Sequence, residues 1–368
     1  MQTEKRIQNI QSLRGGAALS VLFFHIMLME KKWGTGPRIL PDLLNIGASG
    51  VDLFFVISGF VMVIATRGKF QTKGSIPFFL YNRFTRIYPL YWFYSGILLC
   101  VFIFRPELVN PSMGNRVNLL ESFLLLPQSI LPLLMVGWPL VHEMYFYLVF
   151  SLLLMTPEKY LAKFLMLWGA LIIIVDATCS HHHLLGENAY FIILFSPLTL
   201  EFILGCLVAI VLSKGFSRFD LLTFMSSLIL LSATCVLYYY NTALMIYDQW
   251  NRIFLFGIPY ALLVYGAAAI EKNRRKTILD FLKDIGNQSY SLYLSHTIVL
   301  NGIGWLWASL LRPQPGYHFL LITVMLVSSI GNMYISYQVL EKPIVIFTKK
   351  YSGKILNRST GMVKQHHD

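Results

Sequence analysis

Hydrophobic side chains cluster along the chain in long uninterrupted runs, and short polar segments separate them. The runs occupy roughly residues 10–29, 48–65, 87–104, 137–156, 160–178, 190–212, 221–239, 253–270, 289–311 and 317–340. An α-helix rises about 1.5 Å per residue, so runs of about twenty residues match the ~30 Å hydrocarbon core of a bilayer. The pattern predicts an all-α fold, a polytopic membrane helical bundle with about ten transmembrane helices. Residues 119–136 are also apolar, but Pro127 and Pro132 interrupt them. A full crossing there would move most of the later basic residues to the outer face, so the segment reads as re-entrant or interfacial.

Composition supports this picture and narrows it. Hydrophobic residues make up 56% of the 368, charged residues only 13%, and the mean hydropathy is +0.59; a soluble domain of this length is far more polar. The net charge of +12 raises the question of nucleic acid. The basic residues, however, are scattered in short connections rather than gathered in one patch, and no nucleic-acid partner is expected. Counted over alternate connections, Lys and Arg divide 23 to 7. Cytoplasmic segments hold the excess, which predicts that both termini are cytoplasmic.

Lys5 and Arg6 precede the first run as in a signal peptide, but Arg14 interrupts it and no small-residue cleavage site follows, so the first helix is expected to stay. The sequence divides into a membrane domain over residues 1–343 and a basic tail over 344–368, in which Lys349, Lys350, Lys354 and Arg358 suit an anionic lipid surface. No internal repeat or appended soluble domain is evident. Cys100, Cys179, Cys206 and Cys235 show no paired motif and read as buried small hydrophobes.

Ionisable groups inside an apolar run cost free energy unless partners meet them, so they mark functional interiors. The first run carries Arg14 and His25. Eleven helical steps advance about 16 Å and return to nearly the same face. VDLFFVISGF, residues 51–60, brings Asp52 to the depth of His25, where a carboxylate would orient the imidazole; a helix N-cap is the plainer role. Ser58 and Gly59 fit helix packing.

Arg83 and Arg86 lie one turn apart and, with Arg14, suit a phosphate-bearing ligand, although such pairs are commonly positive-inside anchors. WPLVHEMYFYL, residues 138–148, adds Trp138, His142 and Glu143; EFILG adds Glu201; YSLYLSH, residues 290–296, adds Tyr290 and His296. His181, His182 and His183 are consecutive in one connection and make a poor closed metal site, so no metal is expected. There is no GxxxxGK[ST] loop, GxSxG elbow or HExxH helix.

Taken in order, these blocks resemble the acyltransferase-3 family of polytopic membrane acyltransferases. The resemblance rests on Arg14 and His25, the SGF within VDLFFVISGF, Arg83-x-x-Arg86, the Trp138-to-Glu143 block, EFILG, YSLYLSH and the EKP at 341–343. The helix-four wording is similar to the branch that O-acetylates exopolysaccharides and O-antigens; His142 departs from the bulky or apolar residue usual there, which leaves its role open.

The resemblance implies an O-acyltransferase in the bacterial inner membrane. It would take an acyl group, commonly acetyl, from acyl-CoA as donor substrate with no permanently bound cofactor, and pass it to a sugar hydroxyl of a surface polysaccharide or lipid-linked precursor. Arg14, Arg83 and Arg86 would grip the donor phosphates. His25, oriented by Asp52 or Glu143, would be the general base, with an acyl-histidine intermediate as the variant and Ser58 near the oxyanion. Trp138, Glu201, Tyr290 and His296 would serve structure or the substrate path. A proton-coupled transporter or flippase is the competing class, and buried Asp, Glu and His are its usual relay groups.

Overall fold

The computed structural model describes residues 7–179, 188–241, 248–310 and 317–359. These form α1 (Gln8–Trp33), α2 (Gly50–Thr66), α3 (Ser75–Phe104), α4 (Leu119–Leu124), α5 (Trp138–Leu153), α6 (Leu161–Cys179), α7 (Ala189–Leu194) and α8 (Thr199–Ser213). There follow α9 (Asp220–Tyr240), α10 (Gln249–Arg252), α11 (Ile258–Arg274), α12 (Phe281–Asn287), α13 (Ser289–Leu310), α14 (His318–Ser336) and α15 (Lys342–Ser359). No strand occurs among the described residues. The His181–His183 run lies outside them.

Among the described residues nine helical segments are long and apolar enough to cross a membrane, and they coincide with nine of the ten predicted runs. The tenth run, 289–311, forms α13 over 22 residues. Its Ser289, Ser291, Ser295, His296 and Thr297 are buried polar positions that dilute its apolar character. The protein is a multi-pass, all-α membrane protein. Large apolar side chains such as Ile174 on α6 and Ile229 on α9 remain exposed, at 60% and 66%, as lipid-facing positions require. The cysteine expectation is corrected in part: Cys206 is buried, Cys235 is half-buried and Cys100 is exposed on α3, where lipid rather than protein supplies the apolar surroundings.

The chain divides into two compact units. The first comprises residues 1–62 and 196–335, the second 63–195 and 336–368.

In the first unit α1 packs on α12, α13 and the 3-10 segment Asp42–Ser49, while α11 packs on α9 and α8. Ala18, Leu22 and Ile26 recur at four-residue spacing on α1 and meet Leu292 and Leu300 of α13 and Met325 of α14 in one buried cluster. Lipid is as apolar as these side chains, so close packing rather than exclusion of water must hold the helices. Small residues supply that closeness. Any Cβ on Gly59 of α2 would strike the backbone of Phe202, and any Cβ on Gly205 of α8 would strike that of Val56. The Cys206 thiol donates to the Gly59 carbonyl at 3.2 Å across the same contact. The expectation that the small pair Ser58–Gly59 serves packing is met at Gly59. Gly205→Leu is expected to destabilise the fold by about 1–3 kcal/mol through overpacking, read as a lowered Tm of the detergent-purified protein.

A second buried contact fixes the segment after α1. Glu30 is buried with His318 of α14, whose Nδ1 lies 2.9 Å from Glu30 Oε1 and whose Nε2 lies 2.9 Å from the Thr35 carbonyl. The backbone N–H groups of Ile39 and Leu40 also donate to the Glu30 carboxylate, at 2.7 and 3.0 Å. One buried carboxylate thus accepts from an imidazole and two backbone amides at once.

The second unit is organised on α3, which packs on α5 and α15. Residues 119–136 do not form a crossing. They hold the six-residue α4 and the start of the 3-10 turn Met135–Gly137, and between the two the chain turns back through Pro127 and Pro132. The capping amides after α4 reach the Glu121 and Ser122 carbonyls, and the last carbonyls of the helix take further donors from side chains. Three aromatic residues of α3 provide them: Tyr91 donates to the Ser122 carbonyl at 2.7 Å, Trp92 to Phe123 at 2.9 Å and Tyr88 to Leu124 at 2.8 Å. The Ser122 hydroxyl in turn accepts from the Leu133 amide at 3.0 Å, tying the returning chain to the start of the segment. The chain stays helical through α15 to Ser359, with Tyr81 of α3 donating to the Thr348 carbonyl at 3.4 Å.

Candidate active site

His25 sits on the inner face of α1, five turns into an apolar helix whose other buried positions include Val21, Leu22 and Ile26. It is 9% exposed. Its Nδ1 lies 2.9 Å from the Val21 carbonyl one turn earlier and 3.2 Å from Nε2 of His296 on α13. The two rings meet edge to face with centroids 4.7 Å apart. His296 is buried, and its Nδ1 lies 3.1 Å from the Leu292 carbonyl. Arg14 stands eleven residues before His25 on the same helix, with Nη1 3.5 Å from Gln11 Oε1.

Asp52 occupies the first turn of α2 and is fully buried. The expected Asp52–His25 hydrogen bond is replaced by another. Arg252, at the end of α10, donates from Nε to Oδ1 and from Nη2 to Oδ2 of Asp52, each at 3.0 Å, in a bidentate fork. Glu201 of α8, also fully buried, adjoins both Asp52 and Arg252. Tyr293 of α13 neighbours Arg252, and its ring lies 6.0 Å from those of His296 and Phe54. Asp52 and Arg252 also line a recess that includes Asn45, Ser49, Tyr238 and Phe256. Ser49 and Tyr260 close a hydroxyl pair nearby at 2.7 Å.

The π-turn Ile253–Gly257 directly follows Arg252. Such turns insert an extra residue into a helix and recur at functional sites. Here the turn brings Gly257 against Glu201, where a Cβ would sit 3.1 Å from the carboxylate oxygen. The first unit therefore pairs His25 with His296 and sets Asp52 beside Glu201 and Arg252, the four buried groups coming from four helices. Ser58 and Tyr290 lie on α2 and α13 of the same unit.

The second unit holds the remaining residues. Arg83 of α3 lies over two rings, 5.5 Å from Phe79 and 5.6 Å from Tyr147, and its Nε has no hydrogen-bond partner among the described residues. Aromatic faces attract a guanidinium and hold its plane. The Tyr147 hydroxyl donates to Glu143 Oε1, so a carboxylate stands behind the tyrosine that supports Arg83. Arg86 follows one turn later on α3. Trp138 and His142 of α5 contact each other edge to face with ring centroids 5.9 Å apart.

Sequence reasoning missed Arg252, Tyr147 and Tyr293. Arg252 carried a signal, since it is the lone basic residue of its connection and directly precedes an apolar run. Tyr147 stands four residues after Glu143, the spacing of helical neighbours. Among the described residues no group of three His, Cys, Asp or Glu could hold a metal ion.

Comparison with known proteins bears on this arrangement. The model of the acyltransferase-3 family, described as an acyltransferase domain, matches residues 7–337. The chain is 28% identical over 274 residues to the exopolysaccharide production protein ExoZ of Rhizobium meliloti (strain 1021), covering 70% of this chain and 78% of that protein. It is 29% identical over 325 residues to the acyltransferase MdmB of Streptomyces mycarofaciens, covering 80% and 79%. Similarity to the O-acetyltransferase OatA of Staphylococcus aureus (strain NCTC 8325 / PS 47) is 23% over 383 residues, covering 94% of this chain but 58% of that longer protein. No solved structure matches.

Proposed function

Because the chain belongs to the acyltransferase-3 family and is an O-acyltransferase, we propose that it moves an acetyl group from acetyl-CoA to a sugar hydroxyl of a bacterial surface polysaccharide or its lipid-linked precursor. It works in the inner membrane with both termini cytoplasmic, in keeping with the 23-to-7 division of basic residues. The relatives support this choice through their names, one an exopolysaccharide production protein and another an O-acetyltransferase.

The observation that carries the mechanism is the buried His25 imidazole, held through Nδ1 on the Val21 carbonyl. That carbonyl can only accept, so Nδ1 carries the proton and Nε2 is the basic nitrogen. Nε2 takes the proton of the acceptor hydroxyl as its oxygen attacks the thioester carbonyl. The new O–C bond forms, the C–S bond breaks, and the proton passes to the departing thiolate. Asp52 acts through Arg252, and Glu143 acts through Tyr147 on Arg83, as positioning residues. Ser58 is assigned to the donor side. Arg83 and Arg86, one turn apart on α3, hold the anionic end of the donor, where guanidinium forks match phosphate oxygens, and Arg14 is assigned the same role on α1.

The test is transfer of labelled acetyl from acetyl-CoA onto the glycan by purified protein, with Arg83→Lys and Arg86→Lys compared. Lysine keeps the charge and loses the fork, so the donor KM is expected to rise about tenfold, the equivalent of about 1.4 kcal/mol, with kcat little changed. An unchanged donor KM would assign the pair to helix anchoring, and absence of label on any glycan would overturn the reading.

A further inference from the structure

The geometry points to His296 as the positioning residue of the reaction: its Nε2 lone pair accepts the Nδ1 proton of His25 and so holds the basic nitrogen of His25 in place. The inference deepens the reading of His25 as general base and rests on it. Each ring is tied to its own helix in the same way, His25 Nδ1 to the Val21 carbonyl at 2.9 Å and His296 Nδ1 to the Leu292 carbonyl at 3.1 Å. A carbonyl oxygen has no proton to give, so both rings donate from Nδ1.

That settles the contact between them. With its proton on Nδ1, neutral His296 presents a lone pair at Nε2, and this atom lies 3.2 Å from His25 Nδ1. The His25 Nδ1–H is therefore shared by two acceptors. A helix-borne carbonyl alone leaves the ring free to pivot about that one bond; a second acceptor from α13, with its ring plane inclined 69° to that of His25, removes the pivot. Tyr293, whose ring centroid lies 6.0 Å from that of His296, backs the pair one turn earlier on α13. In many acid/base sites a carboxylate orients the imidazole. Here Asp52 is bound by the Arg252 fork, and a second imidazole takes the orienting place.

The roles of the two nitrogens can be read directly. In protein carrying ¹⁵N-histidine, with the His25 signals assigned by their loss in His25→Gln, Nδ1 is expected to be the protonated nitrogen and Nε2 the bare one. Protonation at Nε2 instead would overturn the inference whatever the activity. Kinetics supply the second reading. His296→Leu fills the space without an acceptor and is expected to lower kcat about 10- to 100-fold, the scale at which orienting partners of an imidazole act, with donor KM within about twofold of wild type. His296→Gln, whose side-chain carbonyl accepts, is expected to restore most of kcat. Wild-type kcat in the leucine variant, or a glutamine variant no better than leucine, would overturn the role of His296. Loss of the general-base reading shows separately, as full activity in His25→Ala.

Discussion

His25→Ala is expected to abolish measurable acetyl transfer while leaving the folded protein intact. Positioned general bases contribute about 10²- to 10⁴-fold. The loss should fall on kcat, with the acetyl-CoA KM little altered, since the alanine removes a proton acceptor and no phosphate contact. The stability cost should be modest, because His25 makes one hydrogen bond to its own helix and one to a neighbouring imidazole. The measurement is single-turnover transfer of labelled acetyl by detergent-purified protein beside its thermal unfolding curve. A variant with wild-type Tm and wild-type kcat would remove His25 from the chemistry.

Arg252→Ala is expected to destabilise the first unit more than Gly205→Leu. The Asp52 side chain is 0% exposed and that of Arg252 only 16%, and two hydrogen bonds at 3.0 Å join them. Breaking a buried pair from one side strands the other charge, at a cost of about 3–5 kcal/mol. Glu201 deepens the effect, because this second buried carboxyl also adjoins the guanidinium. Removing the charge from both partners in Asp52→Asn/Arg252→Gln leaves groups that can still hydrogen-bond, and should recover much of the loss. A double-mutant cycle read by thermal unfolding is expected to give a coupling of roughly 2–3 kcal/mol. Additive losses would mean that the two side chains do not stabilise each other.

Much of this architecture is written in the one-dimensional pattern. The apolar runs locate the helices because the bilayer fixes their length, and Pro127 and Pro132 mark the stretch that turns back. Burial of His25, Asp52, Glu201 and His296 is legible for the same reason, since each interrupts a run that would otherwise be uniform. Pairing is another matter. Asp52 and Arg252 are 200 residues apart, and His25 and His296 are 271 apart. Hydropathy gives depth in the membrane but not which helices are neighbours, so several carboxylates at one depth compete equally for a single imidazole. Sequence assigned Asp52 to His25 by depth; a guanidinium entering from a connection outweighs an imidazole there because it offers a bidentate fork. The close approach of α2 to α8 was half visible, since Gly59 announces a tight contact without naming its partner.

The aromatic row of α3 has a consequence for the order of assembly. Tyr88, Tyr91 and Trp92 precede the carbonyls of residues 122–124 by 31 to 36 positions, so they leave the ribosome first. The turning-back stretch meets its hydrogen-bond donors already embedded when it arrives, and needs no later helix to shelter its bare backbone from lipid. Biogenesis of this stretch can therefore proceed stepwise, the later segment docking on the helix inserted before it.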